Sequence, residues 1–184
     1  MAALVAAALA QVGDRPAWLA AILADRYRAP GRVIAMAVPA LLGAGLLAAL
    51  AGALLTPKLT PEAKQAFLAL ALLFQGGGAL FPAKAPDRLA GWHVGALPTS
   101  LAGLFILAFG DGVQFIVLAL AARTTLPWLA AVGATIGSLV AIVPAAVLGE
   151  AAWTALPLVA ARRIIGGLFI VAAVWLGLGA LGLI

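Results

Sequence analysis

Long apolar runs without a single charge alternate with short polar connections along this chain. About 20 apolar residues are what an α-helix needs to cross bilayer hydrocarbon. Residues 33–55 are uncharged and predict a spanning helix, the second of the chain. Residues 66–81 are also uncharged but short, so the third helix takes in its flank, with Lys64 and Gln65 reaching toward an interface. Residues 124–149 predict a fifth helix that starts at Pro127 and kinks at Pro144, and residues 164–184 predict a sixth. The two remaining runs, 1–24 and 94–122, complete the set and differ from the others in carrying an acid near the middle, Asp14 and Asp111. A charge at that depth costs at least ~2.5 kcal/mol on insertion scales, which makes each aspartate a candidate site by default.

Composition agrees with the pattern. The sequence is 66% hydrophobic and 9% charged, with a mean hydropathy of +1.20, too little polar surface to clothe a soluble domain of 184 residues. The fold class is therefore an all-α membrane protein of six transmembrane helices, with the lipid bilayer as its first partner. The formal charge of +5 belongs to helix ends and implies no nucleic acid. Connections 1, 3 and 5 hold Arg26, Arg28, Arg32, Lys84, Arg88, Arg162 and Arg163, against Lys58, Lys64 and Arg123 in connections 2 and 4. The positive-inside rule then puts both termini outside the cytoplasm. Short loops and the lack of a cleavable leader point to a bacterial inner membrane. Without cysteine, a metal falls to oxygen ligands or His93, which favours hard cations over soft ones. No resident cofactor is expected.

The chain also matches itself. Gly13-Asp14 aligns with Gly110-Asp111 at an offset of 97 positions (111 minus 14), and the same offset pairs Arg26 with Arg123 and Gly52 with Gly149. Each half then holds three spans, an odd number, so the halves insert in opposite orientations. The expected organisation is a first repeat over 1–81, a central cytoplasmic loop over 82–93 and a second repeat over 94–184, with Asp14 and Asp111 as pseudo-symmetric partners near the midplane. Gly13 and Pro16, and Gly110 with Gly112, are local helix weakeners beside the two acids. Inverted repeats with polar groups on interrupted helices are a common plan for secondary transporters.

The segments Gln11-Val12-Gly13-Asp14-Arg15-Pro16 and Ala108-Phe109-Gly110-Asp111-Gly112-Val113-Gln114 resemble the motif E-x-G-D-[KR]-[ST], usually followed by Gln. That motif occurs once in each inverted half of the GDT family of manganese/calcium and proton exchangers, in the lysine-exporter-like superfamily. Arg26-Tyr27-Arg28, the run from Val143-Pro144 to Gly149-Glu150, and Arg162-Arg163-Ile164 also resemble the family. The departures are specific. The family glutamate is Gln11 in the first copy and Ala108 in the second, the basic residue survives as Arg15 alone, and the hydroxyl position is Pro16 or Val113.

The resemblance implies a divalent cation (manganese or calcium):proton exchanger, not an enzyme, weakened by the loss of both motif glutamates. A hard dication wants several oxygens and compensating negative charge. Asp14 and Asp111 supply two carboxylates, and Gln11 and Gln114 add amide oxygens. Adjacent carboxylates do not both ionise cheaply, so one holds a proton until a cation replaces it. Arg15 is assigned a gating or charge-pairing role. A structural alternative has Asp14 neutralised by Arg15 or Arg123 and both aspartates capping broken helices. Two other functions stay open. One is a transport-incompetent relative serving as a membrane partner subunit or homodimer. The other is an intramembrane aspartyl hydrolase, although Gln11 and Ala108 stand where its G-x-G-D motif needs glycine, and no tyrosine precedes either aspartate.

Overall fold

The computed structural model describes residues 1–183, all-helical with no strand among them. The elements are α1 (Ala2–Ala10), α2 (Arg15–Tyr27), α3 (Pro30–Leu55), α4 (Pro61–Ala79), α5 (Ala96–Phe109), α6 (Gly112–Ala121), α7 (Trp128–Ala155) and α8 (Leu158–Ala180). A 3-10 turn over Thr56–Lys58 prolongs α3. Three stretches are long and apolar enough to cross a membrane: Pro30–Lys58, Trp128–Ala155 and Leu158–Ala180. Helices α5 and α6 make a fourth if the pair is one span, bent by 67°.

Both acid-bearing runs are interrupted, and the sequence explains where. The 1–24 run is α1, a break over residues 11–14, and α2; the 94–122 run is α5, a break at Gly110 and Asp111, and α6. Gly13 takes φ +69°, a left-handed conformation that a residue without Cβ adopts at no steric cost. Asp14 then caps α2, its Oδ1 accepting from the Arg15 amide at 2.9 Å, while Pro16 falls in the first turn, where no amide hydrogen is missed. Asp111 holds the N-cap position of α6.

Two boundaries differ from those the charges suggest. Residues 150–163 do not form a polar loop: α7 runs on to Ala155, α8 starts at Leu158, and Arg162 is buried within α8. Helix α7 kinks at Gly149 (φ +77°), where the Asp25 carboxylate accepts from the Glu150 amide at 2.7 Å and restarts the helix. A polar stretch thus stays helical because charged partners from elsewhere in the chain satisfy it. The sixth helix ends at Ala180; the sequence expectation carried it to Ile184, which lies outside the described residues. Among the residues expected to form a central loop, 88–92 are tied down by Arg26, whose guanidinium donates to the carbonyls of Leu89 at 2.6 Å and Trp92 at 2.8 Å.

Packing depends on small residues, as expected where apolar helices gain little from further burial of apolar area. Helix α1 lies on α7 and α5 on α3; α2 lies on α7 and α6 on α3; α3 crosses α7, and α4 pairs with α8. Gly137 admits the backbone of α1 at Leu4 and Ala8, so the Gly133 and Gly137 step is a helix contact. Gly76 and Gly166 face each other's carbonyls where α4 and α8 cross, and Gly52 receives the Leu118 carbonyl of α6. At the water-facing start of α4, the Glu62 carboxyl is held below its ordinary range by its own backbone amide and then by the Thr60 hydroxyl.

A Cβ at position 52 would overlap the Leu118 carbonyl and stand 2.9 Å from Ala121 Cβ, whereas nothing lies within 4 Å of one at position 77. Gly52→Ala should therefore cost about 1–3 kcal/mol through overpacking. Gly77→Ala should be neutral or slightly stabilising. Thermal melting of both variants in detergent checks the contrast.

Candidate functional site

The two breaks meet. Gln11 Nε2 donates to Asp111 Oδ2 at 2.7 Å, joining the break after α1 to the break before α6. The Asp14 and Asp111 carboxylates are close enough to feel each other's charge. Each sits at the N-terminus of a helix, α2 or α6, whose first amides and macrodipole favour negative charge. Two interrupted helices thus bring two carboxylates and an amide to one place inside an apolar bundle. The carbonyls freed by the breaks add further oxygens.

Of the residues singled out in the sequence, Gln11, Asp14 and Asp111 come together. Gln114 is one turn into α6, and its side chain lines a cavity of about 240 Å³ with Ala44, Ala48 and Phe115 rather than bonding to either aspartate. Arg15 is exposed, and only its backbone amide touches Asp14. The cation that pairs with Asp14 is Arg162 of α8, Nη1 to Oδ1 at 3.0 Å. Arg162 also donates to the Gly13 carbonyl at 3.1 Å and to the Gly78 carbonyl of α4 at 3.4 Å. Nothing in the spacing around Arg162 marks it as a site residue; an arginine beside a second arginine at the edge of an apolar run has the look of a membrane-interface charge. Gln75 of α4 is another participant the sequence did not single out. It is buried, and its amide end lies against Gly112 where α6 begins.

The arrangement suits an oxygen-seeking cation better than covalent chemistry. Gln11 Oε1 and Gln114 Oε1 are buried with no hydrogen-bond donor, and a buried acceptor left unpaired is costly unless a ligand or water supplies what is missing. No group of three or more His, Asp or Glu gathers anywhere among the described residues. A dication here would rest on two carboxylates, with amide and carbonyl oxygens completing its shell.

The family model described as "Divalent cation/proton antiporter GDT1" matches residues 1–87 and 96–182. The chain belongs to that family. A relative named "Putative manganese exporter", from Vibrio cholerae serotype O1 (strain ATCC 39541 / Classical Ogawa 395 / O395), is 32% identical over 168 residues, covering 90% of this chain and 84% of the relative. No solved structure matches the chain. Family and relative are transporters, not enzymes, which sets the aspartyl hydrolase reading aside and makes this chain an integral membrane protein. Both Gly-Asp steps that carry the resemblance to the GDT1 family lie at the helix breaks described above.

The Gln11 bond to a carboxylate is of the charge-assisted kind, worth about 1.5–3 kcal/mol. Gln11→Ala should lower stability by that order, measured by melting in detergent. Gln114→Ala removes an oxygen that has no partner and should leave the melting temperature within error or raise it.

Proposed function

We propose that this chain exchanges a divalent cation for protons across the membrane, with Asp14 and Asp111 as the coupling residues. The observation that carries the reading is the meeting of the two carboxylates across two broken helices, with Gln11 bonded to Asp111. A proton held on one of the two carboxylates is released when a dication takes their oxygens, and returns when the ion leaves. Competition for the same oxygens couples the two fluxes without any covalent step. The name of the relative makes Mn2+ the first ion to test.

The same proposal treats α1 with α2, and α5 with α6, as single interrupted spans, giving six spans in two inverted halves, 1–81 and 94–184, around an 82–93 loop. The pairing of helices supports it. Replacing each of α1 to α4 by its counterpart among α5 to α8 turns the α1 and α7 contact into α5 and α3, turns α2 and α7 into α6 and α3, and leaves the α3 with α7 and α4 with α8 pairs unchanged. Close approaches follow the same exchange: Gly149 meets Asp25, and Gly52 meets the backbone at Ala122. In this reading Gly13-Asp14 and Gly110-Asp111 are equivalent, and the termini face away from the cytoplasm.

Two substituted glutamate positions, Gln11 and Ala108, favour one other reading: a relative that keeps the fold and serves as a membrane partner without transport. Flux separates the two. In proteoliposomes with an imposed pH gradient, wild type should move Mn2+, and Asp14→Asn and Asp111→Asn should each abolish the coupled flux while still folding. At Asp111 the amide keeps the shape and removes a charge that was costly to bury, whereas Asp14→Asn also leaves Arg162 without its partner and should melt below wild type. Gln11→Glu with Ala108→Glu should tighten binding by returning two anionic ligands. No flux in wild type against any gradient would leave the partner-subunit reading. For orientation, a reporter active only outside the cytoplasm should work at the C-terminus, and one active only inside should work when inserted near Asp87. The opposite outcome at both positions would reverse the topology.

A further inference from the structure

Arg162 sits on the oxygens a dication would need. Its Nη1 lies 3.0 Å from Asp14 Oδ1 and 3.1 Å from the Gly13 carbonyl, and both side chains of the ion pair are nearly buried, 9% exposed for Arg162 and 13% for Asp14. The contact is built in from both sides. A Cβ on residue 13 would stand 3.2 Å from Arg162 Cγ and Cδ and 2.9 Å from Leu158 Cβ, so the glycine that lets the chain break also admits the arginine stem. The pair does not use the full guanidinium fork: Nε is buried without a partner, and Nη2 reaches the Gly78 carbonyl at a long 3.4 Å. Gly78 lies in the last turn of α4, where its carbonyl also accepts from the Phe81 amide at 3.4 Å and the helix dipole favours a cation. Arg162 therefore stands between a carboxylate and the carbonyl end of a helix, the first contact tight and the second loose.

Charge makes the consequence definite. With Asp14 and Asp111 ionised, the two carboxylates and Arg162 together carry one negative charge, because Gln11 and Ala108 contribute none. A dication added to that set would leave a buried excess of positive charge, with the guanidinium a few ångströms from it.

We propose that Arg162 is a tethered cation that occupies Asp14 in the ion-free state and moves toward the α4 carbonyls when a dication binds. The inference rests on the exchanger reading above. It makes Arg162, rather than Arg15, the residue that sets ion affinity and keeps the empty site from collapsing or leaking. It also gives the carrier an ion-free form in which Asp14 is neutralised without a proton, so that release of the metal does not depend on proton supply at that carboxylate.

The test is Mn2+ binding to the purified full chain in detergent, by titration calorimetry and by the shift of the melting temperature, for wild type, Arg162→Gln and Arg162→Lys. Arg162→Gln should melt below wild type without metal, because Asp14 loses its partner. It should nevertheless bind Mn2+ more tightly by about tenfold or more, the scale of removing a like charge a few ångströms from a partly buried site. Arg162→Lys, which keeps a point charge but loses the fork, should fall between them. A merely structural arginine predicts the reverse, a weaker site in a less stable protein. Wild-type binding with equal or weaker affinity in the variants would overturn the tethered-cation role and leave the exchanger reading standing. Silence from wild type with binding by Arg162→Gln would support the role strongly. If Arg162→Gln does not fold, the sign of the Arg162→Lys change decides alone. If neither wild type nor any variant binds Mn2+ or Ca2+, the exchanger reading falls and the inference with it.

Discussion

Two carboxylates side by side in an apolar bundle repel one another, and neither can be left without compensation at that depth. Much of the local structure answers this constraint. Helices α2 and α6 begin at the acids, so that amide dipoles point at them; Gln11 turns its amide onto Asp111; Arg162 reaches across from α8 to Asp14. An unbroken helix through either acid could offer none of the first-turn amides, because they would be spent on carbonyls four residues back. The interruptions are thus the means by which charge is tolerated, and the same interruptions expose the oxygens that a cation would use.

Small residues make the arrangement affordable in space. Broken helices pack poorly unless their neighbours approach closely, and here α1 rests on Gly137 of α7 while α6 rests on Gly52 of α3. Where α4 and α8 cross at Gly76 and Gly166, the approach is close enough to hold Arg162 within reach of Gly78. Close backbone contact also fixes the helix ends that flank the two breaks, the condition for holding ligand oxygens at defined separations. The one long loop between helices is itself anchored, by Arg26 on the carbonyls of Leu89 and Trp92.

What the sequence disclosed was local. Gly-Asp steps in otherwise apolar runs marked both breaks, since glycine and a capping acid act within a few residues of themselves. The resemblance to the family followed from the same steps. Charge-free intervals located α3 and the bulk of α7 well, because a helix in lipid must be apolar along its whole exposed length. The same rule misplaced Arg162 and the stretch after Gly149: it reads every charge as a boundary, whereas Arg162 is paired inside α8 and Asp25 caps the restart of α7 from 125 residues away in sequence. Gln75 was silent for a similar reason, as its role comes from packing on Gly112, a contact between elements that no local pattern encodes. Gln11 and Gln114 looked alike as candidate ligands and are separated by the fold: one bonds to Asp111 and the other faces α3.

The central claim is that a proton and a dication compete for Asp14 and Asp111. Proton release on metal binding tests it without a membrane or a gradient. When Mn2+ is added to the purified protein in weakly buffered detergent solution, binding should expel ~1 proton per chain, as occurs whenever a metal takes protonated ligands. In Asp111→Asn the release should vanish. Mn2+ binding to wild type with no proton released, or the same release from Asp111→Asn, would contradict the account.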